Sequence, residues 1–497
     1  MGIVFRQSVK STLVIFFGAL LGAVTLLLSA KYLTRQEVGF NRTILFQAVV
    51  ASQFTVMGMA SVISILIHKY PIGDKRRAAL IGICISTPVV LTTAGSGFYF
   101  LFKPQLIQLL YNVPSDKVYG DRFFALLPVC TLLYSLMVVL EYYLNSRMKV
   151  AKSVFVREVI LRLLNLALIL LYIFEWIDFN WLMVGTVVVH VIPIIILLML
   201  CKQAEGFSFT LNWSVFSKAE KRELWHFAWY HMLMGVTITL MGFVDSLMIV
   251  PLDKDGMQTA GVYAIAIFMM SILVIPYRAM STASLADLTR AYESGDMGKL
   301  KNLFQRGGIN ILIAATAMSA IIIMNMPNAI KILGQDYGAL LGVVPVLILG
   351  RWVDMASGLN NEVISISKYY KFNFRISVLL IAMMVLFLWL LIPKWGIYGA
   401  AWGATLALVI FNGCKLIFLW VKLRLQPFSK KSIGVVISGV AAMASVYFMP
   451  YRLPPFFDVM LRTTVMMIMY LIMLLLLKPS ADLNEYLQNI RKTKRLF

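Results

Sequence analysis

The sequence predicts an all-α polytopic membrane protein with about fourteen transmembrane helices, and three observations lead to this fold class. Hydrophobic residues make up 60% of the 497 residues, and the mean hydropathy is +0.83. Apolar segments of roughly 20 residues, the length that an α-helix needs to cross hydrocarbon, recur along the whole chain. Charged residues make up only 14%, which excludes a water-soluble domain of ordinary composition.

The connections between the apolar segments are short, so each segment is interpreted as one helix. The predicted spans are residues 11–33, 43–67, 78–102, 122–145, 159–177, 181–201, 227–250, 261–285, 307–326, 339–360, 376–393, 397–421, 433–449 and 459–477. Arg6 and Lys10 precede the first span and imitate a signal peptide, but the apolar run is long and many spans follow it. The first span is therefore predicted to remain as an uncleaved helix.

The distribution of Lys and Arg predicts the orientation in the membrane. With the N-terminus placed in the cytoplasm, the eight cytoplasmic segments hold 30 of the 45 basic residues. The seven external loops and their borders hold 10, and five lie inside spans. Because basic loops resist translocation, both termini are predicted to be cytoplasmic. In the longest cytoplasmic loop, 202–226, Ser217 and Glu220 have capping-box spacing, which predicts a short helix on the membrane surface.

The first twelve spans contain a weak internal repeat. A shift of 222 residues gives seven identities in a 39-residue window, including Gly39 with Gly261, and a shift of 221 pairs Glu141 with Glu362. Coincidence among apolar residues is the alternative explanation. Because each half holds six spans, an even number, the halves would insert with the same orientation. The predicted organisation is two parallel six-helix lobes, residues 1–205 and 206–425, followed by residues 426–497 with two extra C-terminal helices and a basic tail.

Charged side chains at membrane depth are candidate functional residues, because burying them in hydrocarbon costs several kcal/mol. Arg351 lies near the centre of the tenth span, and Asp354 lies on the same helical face. The pair is either a structural ion pair or a cationic contact for an anionic substrate. Arg278 follows Pro276, where a kinked helix would open onto a water-filled cavity. Asp245 is a candidate for a coupling ion, with a hydrogen-bonded packing role as the alternative.

Three other basic residues in spans are predicted to reach the membrane surface. They lie within a turn or two of an interface, where long cationic side chains extend toward the headgroups, and they are Arg162, Lys415 and Arg462.

Several classes of protein are excluded by what the sequence lacks. No GxxxxGK[ST] sequence occurs, and no loop is long enough to fold as a catalytic domain, so the chain is predicted not to be an enzyme. The four cysteines and four histidines have no metal-ligand spacing, so neither a metal nor a cofactor is expected. Basic clusters such as Lys430 and Lys431 lie beside spans, which favours anionic membrane lipids over nucleic acid as partners.

The order of these features resembles a known family. Residues 32–40 read YLTRQEVGF, residues 243–246 read FVDS, residues 260–263 read AGVY, and residues 396–404 read GIYGAAWGA. These segments are similar to motifs of polysaccharide and lipid-linked oligosaccharide flippases of the O-antigen type. That family belongs to a superfamily shared with multidrug and toxin extrusion transporters and with the lipid II flippase.

The resemblance implies two helical lobes around a cavity that opens alternately to each side of the bacterial inner membrane. The implied function is a flippase that moves a polyprenyl-diphosphate-linked oligosaccharide during assembly of a surface polysaccharide, with Arg278 and Arg351 meeting the anionic substrate. The alternative is an ion-coupled exporter of cationic drugs, which would need buried acids. The expected partners are a lipid-linked glycan, anionic lipids and H⁺ or Na⁺ as a coupling ion, and the chain is expected to be a monomer.

Overall fold

The computed structural model describes residues 3–451 and 453–480, with side chains from residue 14 onward. The described residues form helices joined by short turns and loops, and they contain no strand. The predicted all-α membrane fold class is confirmed, whereas the basic tail beyond Ser480 lies outside the described residues. Contacts divide the chain into two compact units. The first unit ends at Ala264, and the second unit begins at Ile265.

The first unit contains twelve helices and the start of a thirteenth. The helices are α1 (Ile3–Tyr32), α2 (Arg35–Val56), α3 (Met59–Ile65), α4 (Lys75–Leu101), α5 (Lys103–Leu110), α6 (Pro114–Arg122), α7 (Leu126–Ser146), α8 (Val150–Phe155), α9 (Leu161–Ile173), α10 (Phe179–Val188), α11 (Val191–Lys202), α12 (Lys218–Leu252) and α13 (Met257–Glu293). A π-helical turn, Val156–Ile160, joins α8 to α9.

The second unit holds the rest of α13 and seven further helices. They are α14 (Met297–Leu333), α15 (Leu340–Ala356), α16 (Asn360–Ile366), α17 (Tyr370–Trp395), α18 (Ile397–Leu423), α19 (Lys430–Tyr447) and α20 (Pro455–Leu477). The lobe boundaries after residues 205 and 425 remain predictions.

The number of spans is eleven or twelve by length and composition. Among the described residues, eleven helices are long and apolar enough to cross a membrane, and the bent pair Arg35–Val56 and Met59–Lys69 makes twelve if it is one span. Each of the other two predicted spans, 159–177 and 433–449, overlaps a helix that does not meet these criteria. The first is interrupted by the π-helical turn, and α19 is only 18 residues long and starts with two lysines. The count of fourteen remains a prediction.

The bend between α2 and α3 has a local cause. Met57 and Gly58 adopt left-handed backbone angles, with φ of 47° and 71°. A Cβ atom on Gly58 would collide with the carbonyl oxygen of Ala228 on α12. Glycine is therefore required both by the backbone conformation and by the close approach of α12.

The capping box of α12 is confirmed, but the predicted short surface helix is wrong. The Ser217 hydroxyl accepts from the Glu220 N–H at 3.2 Å, and the Glu220 carboxylate accepts from the Ser217 N–H at 2.8 Å. From this cap the helix continues without interruption for 35 residues to Leu252. No break separates the end of loop 202–226 from the following span, so the two form one long helix.

Two glycines that the repeat pairs are in contact with each other. A Cβ atom on Gly39 of α2 would collide with the Met257 carbonyl oxygen, and one on Gly261 of α13 would collide with the Arg35 carbonyl oxygen. Each added Cβ would also lie 3.0 Å from the backbone nitrogen of the other glycine. The absence of both side chains lets the two helix starts pack backbone to backbone.

The two last helices pack against α14. Buried Ala442 and Val446 of α19 meet Met466 and Tyr470 of α20 in one apolar cluster with Ala320 of α14. The prediction that Arg462 extends to the membrane surface is wrong, because its side chain is 1% exposed. Its guanidinium is instead bound within the second unit.

The partners of Arg462 explain its burial. Nε lies 2.6 Å from an oxygen of Asp458, one helical turn earlier on α20. The two remaining nitrogens donate to the carbonyl oxygens of Val446 at 2.8 Å and Met449 at 2.6 Å. Because every guanidinium nitrogen has an acceptor, the buried charge is compensated and ties α20 to the end of α19.

Candidate functional site

The predicted pair Arg351 and Asp354 comes together on α15, but the contact is loose. Arg351 Nη1 lies 3.7 Å from Asp354 Oδ2, and the side chains are 31% and 29% exposed. That separation is beyond a hydrogen bond. The other oxygen, Oδ1, accepts from Asn412 Nδ2 of α18 at 3.0 Å. Asp354 is therefore held more closely by a neutral amide than by the guanidinium.

Asn412 extends this contact to a third helix. Its side-chain oxygen accepts from Asn360 Nδ2 at 3.2 Å, and both asparagines are buried. Asn360 is the first residue of α16, which follows α15 after a short break. Amide side chains thus connect α15, α16 and α18 around the carboxylate of Asp354.

A second carboxylate, Glu362 of α16, is bound by hydroxyl groups of α13. The Tyr277 hydroxyl lies 3.0 Å from one oxygen and 3.2 Å from the other, and the Ser281 hydroxyl donates to Oε1 at 2.5 Å. Pro276 lies immediately before Tyr277, yet α13 continues through it. Glu362 is therefore compensated by neutral donors, and no ion pair forms between it and another described residue.

Lys415 of α18 lies in the interior, so the prediction that it extends to the surface is wrong. Its residue is 1% exposed, and its ammonium donates to the side-chain oxygen of Asn361. The ammonium also lies 3.9 Å from the ring centroid of Phe411. Phe411, Lys415 and Leu419 recur every four residues on the buried face of α18, and this face directs the side chain inward.

Asn361 links the lysine to the glutamate. Its amide nitrogen donates to the Tyr277 hydroxyl at 3.4 Å, and Tyr277 in turn donates to Glu362. The hydrogen bonds and the ion pair form two groups, which meet at the consecutive residues Asn360 and Asn361 of α16. We call both groups together the polar network. Its members are Tyr277, Ser281, Arg351, Asp354, Asn360, Asn361, Glu362, Asn412 and Lys415.

Arg278 is adjacent to the network along α13, but its side chain faces outward. It is exposed and forms no ion pair with another described residue. Ser271 and Thr282 are exposed on the same helical face, with Ala279 beside them. An exposed guanidinium within a predicted span requires water or an anionic partner, so this face is the strongest candidate lining of an aqueous passage.

The exposed face of α17 differs in composition from the polar exposed face of α13. It carries large apolar side chains, among them Val385, Leu386, Trp389 and Leu390, which are 40–59% exposed. Such residues are typical of a helix face that contacts lipid. The polar face of α13 is therefore not a general property of exposed helix surfaces in this unit.

Asp245 is buried in the first unit and takes part in hydrogen bonds there. Its Oδ2 accepts from the Tyr263 hydroxyl at 2.8 Å, and Oδ1 accepts from the Ser246 N–H at 2.8 Å. Tyr263 is fully buried near the start of α13. The contacts join α12 to α13, and the role of Asp245 in ion coupling remains a prediction.

Sequence reasoning identified two members of the network and missed the others. Arg351 and Asp354 were identifiable as charges in the middle of a span. The internal repeat pairs Glu362 with Glu141, and this match was the one sequence feature that pointed to Glu362. The amides of Asn360, Asn361 and Asn412 carry no charge, and only the folded arrangement places them beside the charged groups.

Comparison with solved structures shows the fold. The lipid II flippase MurJ in an inward closed conformation superimposes with a TM-score of 0.76 at 13% identity, covering 94% of this chain and 98% of that one. A multidrug resistance MATE family transporter of the MOP superfamily, inward-facing, gives 0.64 at 12% identity, covering 83% and 98%. A Vibrio cholerae MATE transporter gives 0.57 at 14% identity, covering 85% and 96%.

No protein-family model matches the sequence, and no curated protein matches it either. At these identities the likeness concerns the fold: this chain has the helical architecture of MurJ and the MATE transporters.

Proposed function

We propose that this chain is a membrane transporter that moves an anionic lipid-linked oligosaccharide across the membrane by alternating access. One observation carries the proposal: three cations on α13, α15 and α18 of the second unit have no close carboxylate partner. Arg351 is 3.7 Å from Asp354, Lys415 binds an amide, and Arg278 makes no ion pair with another described residue. Such cations are suited to a diphosphate, because a guanidinium group binds phosphate oxygens through paired hydrogen bonds.

The likeness to MurJ supports a substrate with a lipid anchor, because that protein is a lipid II flippase and its alignment covers 94% of this chain. The alternative is an ion-coupled exporter of cationic drugs with the same fold. A cationic substrate would need an acid that is free to receive it. In the second unit, the carboxylates of Asp354 and Glu362 both already accept hydrogen bonds from neutral groups. The charges therefore favour an anionic substrate.

Transport in proteoliposomes tests whether the substrate is anionic or cationic. Purified protein is reconstituted with a fluorescent polyprenyl-diphosphate oligosaccharide, and translocation is followed as new accessibility of the sugar to a soluble glycosidase. Wild-type protein should expose the inner-leaflet sugar, whereas Arg278→Gln should slow this at least about tenfold, since a lost charge-assisted contact is worth about 1.5–3 kcal/mol.

Arg290→Gln is the matched control, because Arg290 lies on the same helix, is exposed and contacts Asp287 at 3.6 Å beyond the predicted span. Its rate should equal that of wild type. Uptake of a cationic dye without movement of the lipid-linked sugar would overturn the flippase assignment and favour the drug exporter.

We propose Asp245 as the group that carries a coupling H⁺ or Na⁺. The residue is 6% exposed, and its carboxylate accepts hydrogen bonds from the Ser246 N–H and the Tyr263 hydroxyl. Asp245→Asn keeps an acceptor for Tyr263 but removes the charge. Transport by the variant should no longer respond to a sodium or pH gradient. An unchanged response would assign Asp245 to helix packing alone.

The proposed location is the bacterial inner membrane, with both termini in the cytoplasm. Reporter fusions after Asp74 and Lys218 should be active only in the cytoplasm, whereas fusions after Lys117 and Asp255 should be active outside. An inversion between neighbouring fusions would show that the number of spans is different.

A further inference from the structure

Two neighbouring cavities lie beside the start of α19 in the second unit, and none of their lining residues is a member of the polar network. One has a volume of about 390 Å³ and is lined by Arg306, Lys430 and Lys431. The other has a volume of about 470 Å³ and is lined mainly by apolar side chains, including Leu312 and Trp352. Ser429 and Lys430 line both, so the cationic cavity and the apolar cavity share part of their wall.

The cationic compartment has no acidic lining residue among the described residues. Arg306, Lys430 and Lys431 are exposed, and neither lysine forms an ion pair with another described residue. Lys430 and Lys431 are also the first two residues of α19, where the free N–H groups of the helix add partial positive charge. The compartment is therefore suited to an anion.

Hydrogen bonds fix the walls of the cavities. Gln305 on α14 donates to the carbonyl oxygen of Gln426 at 3.1 Å, which holds the loop before α19. The Ser480 hydroxyl donates to Asn310 at 2.8 Å, and Trp352 Nε1 donates to the Thr316 hydroxyl at 3.0 Å. These contacts position the chain segments before α19 and after α20 against α14, so the cavity is set by the fold.

The combination of the two compartments defines the ligand. A phosphate group would bind Lys430 and Lys431, with Arg306 adding positive charge beside them, while a hydrocarbon chain would cover the apolar wall. Lys430 and Lys431 belong to a loop that is predicted to be cytoplasmic, and the cytoplasmic leaflet is where anionic lipids attract basic residues. We propose that this pair of cavities binds one resident anionic glycerophospholipid, with the headgroup at Arg306, Lys430 and Lys431 and an acyl chain against Leu312 and Trp352.

This lipid would lie between α19 on one side and α14 and α15 on the other. It would remain with the protein through a transport cycle, so the proposal is independent of the substrate proposed above. The apolar wall adjoins a packed cluster in which Val435 of α19 meets Ile309 and Leu312 of α14. The lipid would thus extend an existing helix contact toward the headgroup region.

Native mass spectrometry of the purified full-length chain tests the proposal. The protein is released from micelles that contain equal amounts of phosphatidylglycerol and phosphatidylcholine, and bound lipids are counted. Wild-type protein should retain one phosphatidylglycerol in preference to phosphatidylcholine. The double variant Lys430→Gln/Lys431→Gln should bind it about 30-fold more weakly, as expected for the loss of two lysines near a membrane surface.

The matched control is Lys422→Gln/Arg424→Gln, which removes the same charge from the C-terminal end of α18, outside the cavity, and should retain the lipid. Ile433→Ser shortens an exposed residue of the apolar wall and should weaken binding through the chain. Equal retention by the lysine variant, or equal binding of phosphatidylcholine, would overturn the proposal. Displacement by inorganic phosphate alone would show a free anion site, and preferential binding of a polyprenyl diphosphate would show a substrate site; either would overturn the resident phospholipid.

The readout does not depend on transport, so failure here and failure of the flippase proposal are distinguishable. A variant that loses the lipid and still moves the lipid-linked sugar would support both. A chain that retains the lipid and moves no sugar would support the lipid site and contradict the flippase.

Discussion

In the first unit Glu141 of α7 accepts a hydrogen bond from Arg157 at 2.9 Å, whereas its repeat counterpart in the second unit, Glu362, accepts from the hydroxyls of Tyr277 and Ser281. The neighbouring acid in the first unit, Glu158, binds Arg157 at 3.1 Å and Arg162 at 2.5 Å. The carboxylates of Glu141 and Glu158 are therefore both compensated by guanidinium groups within hydrogen-bond distance.

The polar network of the second unit separates its charges. The carboxylates of Asp354 and Glu362 accept hydrogen bonds from amides and hydroxyls, whereas Arg351 lies 3.7 Å from Asp354 and Lys415 donates to Asn361. Outside the network, the buried pair of Arg462 and Asp458 resembles the ion pairs of the first unit. Ion pairs that are fully formed lock helices together, whereas a loosely paired cation is available to a ligand. The comparison predicts helix packing as the role of Glu141, Glu158 and their arginine partners, and substrate contact as the role of Arg351 and Lys415.

The largest expected effect comes from the loosely paired arginine. Arg351→Ala should reduce transport of lipid-linked sugar at least about 100-fold, because a buried contact to a phosphate is lost, while the thermal unfolding midpoint in detergent changes little. Arg351→Lys should keep part of the activity, since the charge remains and the paired hydrogen bonds do not. If both Arg351→Ala and Arg351→Ala/Asp354→Ala transport at the wild-type rate, the pair is structural and the comparison fails.

Lys415 gives the next largest effect, and transport and stability should move in opposite directions. Lys415→Met keeps the length of the side chain and removes a buried ammonium whose hydrogen-bond partner is neutral. Stability should rise by about 1 kcal/mol or more, because a buried charge without a carboxylate partner is costly. Transport should fall about tenfold. Thermal unfolding in detergent and the proteoliposome assay measure the two effects, and a large loss of stability would place Lys415 with the structural charges of the first unit.

The sequence predicted what depends on local spacing. The fold class followed from apolar segments of membrane length, and the Arg351 and Asp354 contact followed from three-residue spacing on one helix. The contacts of Lys415 with Asn361 and of Tyr277 with Glu362 join residues 54 and 85 positions apart, so they depend on helix packing that no local pattern encodes.

The errors for Lys415 and Arg462 share one physical cause. Both were assigned to the surface from their distance to a span end. Depth along a helix does not fix which face a residue occupies, and Lys415 lies on the same buried face as Phe411 and Leu419. Arg462 is likewise four residues from buried Asp458, and this spacing was a signal for an interior pair.

Matched glutamate variants test the difference between the units directly. Glu141→Gln removes a charge partner of Arg157 and should lower stability by about 1–3 kcal/mol, less than for a fully buried pair because Arg157 keeps Glu158. Glu362→Gln keeps an oxygen that accepts from Tyr277 and Ser281, so its cost should stay below about 1 kcal/mol. Thermal unfolding of the two proteins in the same detergent provides the measurement. Equal losses would mean that Glu362 is as dependent on charge as Glu141.

The smallest expected effect comes from Asp116, a buried residue of the first unit that lies outside the predicted spans. Its carboxylate is held by neutral donors, as are the carboxylates of Asp354 and Glu362 in the second unit. Asp116 is 1% exposed, and it accepts from Gln36 at 2.7 Å and from the Met257 N–H at 2.9 Å. Burial raises the pKa of Asp116 above its usual 3.8, against the opposing effect of these two hydrogen bonds. The folded state therefore binds this proton more tightly than the unfolded state does.

The sign of the pH dependence follows from that raised pKa. The stability contributed by Asp116 is complete below the usual pKa and is lost as the pH rises through the folded value. Between about pH 4 and 6, the unfolding midpoint of wild type should fall by about 1–2 °C relative to Asp116→Asn. Asp74 is the control of opposite sign, because hydrogen bonds from Arg76 lower the pKa of Asp74 and its contribution is lost only as the pH falls. A pH profile of Asp116→Asn parallel to that of wild type would show that the hydrogen bonds from Gln36 and Met257 fully offset the burial of Asp116.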